Sequence, residues 1–562
     1  MKKILKNGIV VNVFTDELEK ANVLIEDGKI IGVGEYSDTD ADIVEDISGK
    51  FVSPGFIDGH IHIESTMLVP GELAKLCLPY GTTSIVADPH EIANVCGVDG
   101  IKYMLESSEG LPLDVYVVLP SCVPATSFDE TGAILEAEEL RPLYSHPRVL
   151  GLGEMMNYPA VLADDAKVLK KIEDAVSVGK IVNGHAPLLS GKALDKYISA
   201  GIYDDHECTL PDEGKERIKK GQYVMIRRGS AARNLVDLLA LFDEPWNRRC
   251  MLVTDDYHAD DLLEKGHINS IIREAVEAGK SAVVGIRMAT IQAAARFGLH
   301  NVGAIAPGYA ADIAIIDSLE EMNISAVYKN GEKVVSGKEL LVFKAPEVSK
   351  ELLEKVRGSF NLKAVTKEDF FIKPESNKCR VIGINPGTLL TDEVVLDIDF
   401  SENNGIDTER DILKLAVIER FKNTGHIGLG FARGIGMKKG AIASSVAHDS
   451  HNLIVVGTNE TDMEIAANRI KELGGGCLVV CDGKILSELP LPFGGLMTDI
   501  PANEVAERNK KLGELAAELG VNDGINPFMN MSFIALPVIP HLKITTHGLI
   551  DVDNQKLISL FV

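Results

Sequence analysis

The chain has 562 residues, 45% of them hydrophobic and 25% charged, with 57 basic against 83 acidic side chains and a net charge of −26. That length suggests about three or four domains. The acid excess excludes a general nucleic-acid or anionic-membrane partner, because nothing broad would neutralise phosphates, and no window nears the roughly 18 consecutive apolar residues of a membrane span.

The opening Met1-Lys2-Lys3-Ile4-Leu5 has the basic start of a signal peptide, but Lys6, Asn7 and Gly8 interrupt the apolar run, so no leader is expected. Short strands are predicted at Gly8–Phe14, Ala21–Ile25 and Lys29–Val33, with a hairpin turn in which Gly28 takes a positive φ. Next, an apolar strand beginning near Phe51 runs into His60 and His62. Strand period two puts both imidazoles on one face, where one metal could take both; a pair of satisfied polar groups is the alternative. Between about 51 and 300, further strands are predicted at Thr83–Ala87, Asp114–Leu119, Val149–Gly153, Lys180–Asn183, Gly201–Asp204, Tyr223–Ile226 and Cys250–Thr254. Helices are predicted at Ala166–Val178 and Leu262–Ala278. Eight βα units predict a (β/α)8 TIM-like barrel, with an open doubly wound sheet as the competing topology. No Gly-rich phosphate loop follows an early strand. The β pattern returns at Gly303–Asp317 and Ala326–Val335, so 1–50 and 301–345 are expected to form a composite β-sandwich flanking the barrel at 51–300. Residues 346–562 read as a C-terminal mixed α/β domain, with helices at Leu353–Val356, Asp411–Phe421 and Asp462–Leu473 and strands at Asn452–Gly457 and Cys477–Cys481. The eight scattered cysteines, with no CxxC pair, predict reduced, mostly buried thiols in a cytoplasmic protein.

The strand ends carry the chemistry. After His60 and His62 come Asp88-Pro-His90-Glu91, then Glu154, His185, Asp204-Asp-His206-Glu207 and Asp255-Asp256. Four histidines with Glu154 and Asp255 could hold two divalent metals bridged by Glu154, since imidazole suits Zn, Fe and Mn and carboxylate the harder of these. His90 and Glu91 could line a substrate pocket or cap the following helix; Asp256 could orient a ligand or cap a loop. Ser121 and Cys122 read as a buried small pair. His448 and His451 form either a further metal site or a satisfied turn. His146, His258, His267 and His300 read as structural or surface groups, and Arg228 as solvent-facing.

Pro54-Gly-Phe-Ile-Asp-Gly-His-Ile-His62 resembles the first-strand motif of the amidohydrolase superfamily, and Ala306-Pro-Gly-Tyr-Ala-Ala-Asp-Ile313 its return into the accessory β-sandwich. More narrowly, His60–Met67, Asp88–Val95, Gly153–Asn157, Met225–Ala232, Ser444–Gly457 and Phe528–Pro537 resemble the bacterial adenine deaminase family, along essentially the whole chain. The resemblance implies a metal-dependent aminohydrolase of purine salvage, in which a metal-activated hydroxide attacks C6 of adenine to give hypoxanthine and ammonia. It implies His60, His62, Glu154, His185, His206 and Asp255 as metal ligands, Asp255 and then Glu154 as proton carriers, and a homo-oligomer. In much of the superfamily a carboxylated lysine bridges the metals; Glu154 stands there instead, which favours Mn or Fe beside Zn. Position 228 is more often Glu in the family string. The cytidine-deaminase site, HxE with a later PCxxC, is excluded because no PCxxC occurs. The rival readings are another amidohydrolase, either a cyclic-amide hydrolase or an amino-sugar deacetylase, and a metal-binding barrel that has lost catalysis.

Overall fold

The computed structural model describes every residue except Ala231, within the Met225–Ala232 string, and Glu402. The chain divides into two compact units: 1–89, 104–121 and 136–347 in the first, and 90–103, 122–135 and 348–562 in the second.

The first unit opens with strands β1 (Lys2–Asn12), β2 (Glu17–Glu26), β3 (Lys29–Gly34), β4 (Ile43–Asp46) and β5 (Phe51–Pro54). Its middle carries β6 (Phe56–Ile61), β7 (Thr82–Ala87), β8 (Asp114–Leu119), β9 (Val149–Met155), β10 (Ile181–Gly184), β11 (Asp204–Asp205), β12 (Tyr223–Arg227) and β13 (Cys250–Val253). It closes with β14 (Ile313–Ser318), β15 (Asn323–Lys329), β16 (Glu332–Ser336) and β17 (Glu339–Leu340). Among the described residues, one nine-stranded sheet runs β17-β16-β15-β14-β5-β1-β2-β3, with β4 beside β1, so both flanks of the chain build it. The β2–β3 turn contains Gly28 at φ 77°. Its core is mostly aliphatic, with Leu5, Val23, Ile30, Val52 and Ile313 buried together around Tyr328.

Strands β6 to β10 form a parallel five-stranded sheet in chain order, and β11 to β13 a three-stranded one. The last of these meets the first: the amide of Asp255 donates to His60 O at 2.9 Å and that of His62 to Asp255 O at 3.3 Å. A buried cluster draws Ile57, Val86 and Val118 from the larger sheet and Met225, Met251 and Val253 from the smaller, packed on Ala293, Ala294 and Phe297.

The second unit contains an eight-stranded sheet between Lys378 and Pro490, with the helix Glu460–Leu473 against its strands, and a three-stranded sheet β26 (Leu542–Thr545), β27 (Gly548–Asp551) and β28 (Lys556–Ile558) at its end. The larger sheet's members are β18 (Lys378–Ile384), β19 (Thr391–Asp397), β20 (Leu413–Ile418), β21 (Ile427–Arg433), β22 (Ala441–Ser444), β23 (Leu453–Gly457), β24 (Gly476–Cys481) and β25 (Lys484–Pro490).

Three local expectations change. The single strand from Phe51 is two, because the chain breaks at Gly55 and β5 and β6 join different sheets. The helix expected at Asp411–Phe421 is β20, whose six residues are all buried between β21 and β23; a strand covered on both faces reads as a nearly continuous apolar run, here interrupted only by Lys414, and mimics a buried helix. The helix expected over Leu262–Ala278 is two, Ala259–Lys265 and Ile268–Glu277, separated by Gly266 at φ 102°. All eight cysteines are unpaired. Among the described residues no helix is long and apolar enough to cross a membrane.

Lys543 of β26 is buried, its Nζ donating to Leu389 O at 3.1 Å, and burial pushes its pKa down to about 7. A lowered folded pKa leaves the favourable contribution present above the unfolded value, about 10.4, and lost as pH falls toward the folded one. Lys543→Met is therefore expected to raise the thermal midpoint at pH 7 by about 3 °C or more, and by progressively less toward pH 10. A gain that stays constant over that range would show that the buried ammonium is not the cause.

Candidate metal centre

On β6 the alternation puts Asp58, His60 and, one residue beyond the strand, His62 on one side. Glu154 lies near the end of β9, His185 just after β10, His206 just after β11, and Asp255 two residues past β13. These six sequence-predicted residues converge. Glu154 Oε1 lies 3.3 Å from His62 Nε2 and 4.0 Å from His60 Nε2, while Oε2 lies 2.7 Å from His185 Nδ1 and 3.1 Å from His206 Nε2. Asp255 Oδ1 lies 3.0 Å from His62 Nε2 and 3.3 Å from His60 Nε2. One carboxylate thus faces two imidazole pairs, one through each oxygen. His185 is partly exposed and the other five are buried.

The donor set fits divalent cations. His62 Nδ1 lies 3.0 Å from the carbonyl oxygen of Asp88, which can only accept, so Nδ1 carries a proton and Nε2 is the nitrogen that faces the centre. The buried Nε2 of His60 has no aligned hydrogen-bond partner although two carboxylates surround it. Burial alone would lower the pKa of His62 and His206, but Asp255 and Glu154 at the first and Glu154 at the second hold both well above the ordinary value. Burial likewise works to raise Glu154, and the imidazoles of His185 and His206 outweigh it and keep the carboxyl ionised. In Asp255 burial is outweighed first by Arg227, then by His60 and His62.

Neighbouring polar groups fix these ligands. The Glu154 amide donates to Asp88 Oδ2 at 2.9 Å, and Ser121 Oγ donates to Glu154 O at 2.5 Å. Gly153 is required here, since a Cβ would sit 2.1 Å from Asp88 Oδ2. Asp58 accepts from Thr254 N at 3.2 Å and Thr254 Oγ1 at 2.5 Å, and lies 3.1 Å from His267 Nε2, tying β6 to the residue before Asp255. Asp204 Oδ1 accepts from Gly184 N at 2.8 Å, and Asp205 Oδ2 from Ala186 N at 2.8 Å, bracketing His185. Asp256 accepts from Ser65 Oγ at 2.5 Å.

Two residues of the cluster are not among the sequence-predicted ligands. Arg227, last residue of β12, donates from Nη1 to Asp255 Oδ2 at 2.9 Å and to Glu207 Oε1 at 2.5 Å, and Glu207 Oε1 lies 3.3 Å from His206 Nε2. Both stand at strand ends, which was the available signal. Arg228 does not face solvent: it is largely buried, its Nε donating to Glu274 Oε2 at 2.8 Å. In the second unit, Glu91 accepts from His448 Nδ1 and His451 Nε2. There His451 Nδ1 accepts from the Ala447 amide at 3.1 Å, so Nε2 keeps the proton and has no lone pair for a metal. Burial lowers the His451 pKa to about 4, which keeps it neutral. This trio is a hydrogen-bonded turn.

Removing one partner of a buried ion pair strands the other's charge. Arg227→Met, which takes the guanidinium from Glu207 and Asp255 and leaves them imidazole partners alone, is expected to destabilise the metal-free protein by about 3–5 kcal/mol in urea denaturation. A loss below about 1 kcal/mol, the size of a surface pair, would show that Arg227 does not brace the centre.

The family model described as "Amidohydrolase family" matches residues 51–334, and that described as "Adenine deaminase C-terminal domain" matches 388–556. The chain is 46% identical over 558 residues to "Adenine deaminase 2" of Carboxydothermus hydrogenoformans, covering 99% of this chain and 96% of that one. It is 44% identical over 559 residues to "Adenine deaminase" of Desulfatibacillum aliphaticivorans and 45% identical over 559 residues to that of Clostridium acetobutylicum, each covering 99% of this chain and 97% of the relative. The chain belongs to the adenine deaminase family of the amidohydrolases.

Proposed function

We propose that the chain hydrolyses adenine to hypoxanthine and ammonia at a centre of two divalent cations. The observation that carries this is the Glu154 carboxylate, whose two oxygens face separate imidazole pairs; the relatives' nearly full-length similarity carries the choice of purine. His60, His62 and Asp255 would hold one ion, His185 and His206 the other, and Glu154 both. Divalent ions held there would lower the pKa of water from 15.7 to about 7 and would so supply a nucleophile at neutral pH. Mn or Fe fits the two carboxylates better than it would an all-imidazole site, with Zn also accommodated.

The chain's own part is proton handling. Addition of water at C6 forms a C–O bond and delivers a proton to ring N1. Breaking C6–N6 then sends the bond's electron pair to nitrogen, which takes the proton of the new C6 hydroxyl and leaves as ammonia while the C6 carbonyl forms. Asp255 is the carrier between these atoms: Arg227 holds Oδ2, and Oδ1 stays on the cluster side. Glu154 is the second carrier. Asp256, held by Ser65, is assigned to the purine. Strands β6 to β13 are read as the staves of a (β/α)8 barrel, supported by the hydrogen bonds between His60, His62 and Asp255 that join its first and last strands. The same reading takes the enzyme as a cytoplasmic homo-oligomer.

Metal-reconstituted protein offered adenine, adenosine, guanine or cytosine separately should release ammonia from adenine alone. Turnover of another of the four with adenine untouched overturns the substrate. Asp255→Asn should lower kcat by about 100-fold or more, the scale of a lost general acid–base group; near-normal turnover at full metal loading would remove Asp255 from the proton path.

A further inference from the structure

We propose that Glu130, His426 and His547, all in the second unit, form a divalent-cation site of their own. Their ligand atoms lie within 4.8 Å of one another. His426 Nδ1 is 2.9 Å from Glu130 Oε1, His547 Nε2 is 3.9 Å from Glu130 Oε2, and the two rings lie 5.7 Å apart at 51°. Ligands around a tetrahedral ion with bonds of about 2.0–2.2 Å stand about 3.3–3.6 Å apart, so small side-chain movements close the set. Two imidazoles and one carboxylate are a donor set that zinc uses with further positions left to water.

The three ligands come from distant parts of the chain, and each stands on a fixed turn. Glu130 is held at both ends: its carbonyl oxygen accepts from Asn452 Nδ2 at 2.8 Å and its Oε2 from Thr546 Oγ1 at 2.5 Å. That leaves Oε1 toward His426. The turn before His426 is tied by Glu419, whose carboxylate accepts from the amides of Lys422 at 2.6 Å and Thr424 at 2.9 Å and from Thr424 Oγ1 at 2.8 Å, while the amide of Glu419 donates to His426 O at 3.0 Å. The turn bearing His547 packs directly on Gly428, where a Cβ would lie 1.9 Å from Thr545 O. Glycine at 428 therefore lets the 545–548 turn come beside His426.

Surface pairing alone gives little reason for such convergence: exposed ion pairs contribute about 0–1 kcal/mol, and the two histidine side chains are 53% and 41% exposed. The exposure also leaves the site open to ions from solution. In the Glu91 trio the Ala447 amide takes the lone pair of His451; no backbone amide occupies the facing nitrogens of His426 or His547 among the described residues.

The test uses the full chain with its active-site metals loaded, dialysed against Zn2+ and assayed for bound metal by mass spectrometry. The wild type should take one equivalent more than His426→Gln/His547→Gln, with adenine turnover unchanged in the variant. Thr546→Val, which frees the carboxylate from its hydroxyl, should weaken the extra equivalent about 10–100-fold. Zn2+ should raise the thermal midpoint of the wild type and leave that of the double variant unmoved. Equal metal content in the two proteins overturns the proposal, as does half-saturation weaker than about 1 mM, which marks an adventitious ion only. The count is independent of which purine the enzyme accepts.

Discussion

A carboxylate buried among four imidazoles is expensive unless every charge around it is matched, because desolvating an ion costs several kcal/mol even after relaxation. Glu154 meets that condition with one oxygen toward each imidazole pair, and much of the first unit serves to hold it there. Its amide is gripped by Asp88 and its carbonyl by Ser121. Ser121 in turn has its own carbonyl oxygen engaged by the buried Lys171 Nζ at 2.9 Å. Asp88 also receives His62 through its backbone oxygen, so one residue orients a ligand on β6 and the backbone of another on β9. The acids at the strand ends divide into two kinds: Glu154, Asp255 and Glu207 face the imidazoles, while Asp58, Asp88, Asp204 and Asp205 tie neighbouring strand ends together through backbone amides and hydroxyls.

That division explains what was legible in the sequence. His60, His62, His185, His206, Glu154 and Asp255 could be found because each ends a readable apolar strand, and the period of two puts the HxH pair on one face. The bracing acids share the same strand ends and the same residue type, and only coordinates separate a side chain aimed at imidazole from one aimed at a neighbouring amide. Arg227 was lost for a related reason. An arginine after a strand reads as a solvated charge, yet here two carboxylates, Asp255 and Glu207, compensate it inside the protein. Its neighbour Arg228 turns to Glu274 instead, as alternation along an extended chain requires.

The fold was legible where patterns are local and obscured where burial overrides them. The β2–β3 hairpin announces itself through Gly28, and both flanks of the nine-stranded sheet show short alternating runs. Strand β20 carries no alternation because both its faces are covered, so its sequence cannot separate strand from helix. The break at Gly55 separates two sheets, and Pro54-Gly55 is the one local signal that marks it between two short apolar runs.

Imidazole–carboxylate clusters look alike at the level of composition, and the second ring nitrogen tells them apart. A backbone carbonyl can only accept and a backbone amide can only donate, so each fixes the tautomer of a neutral histidine without ambiguity. Asp88 O holds the Nδ1 proton of His62 and turns Nε2 toward Glu154 and Asp255. The Ala447 amide sets His451 the opposite way, with Nε2–H directed at Glu91. The first nitrogen can exchange a proton for a cation and keep the other on Nδ1; the second carries the only proton its ring has. Two divalent ions held as proposed would carry more positive charge than Glu154 and Asp255 carry negative, and Glu207 is paired with Arg227. That excess is the electrostatic condition under which bound water would lose its proton at neutral pH. The Glu154 carboxylate, braced by Asp88 and Ser121, meets both imidazole pairs with a side chain the strand itself supplies.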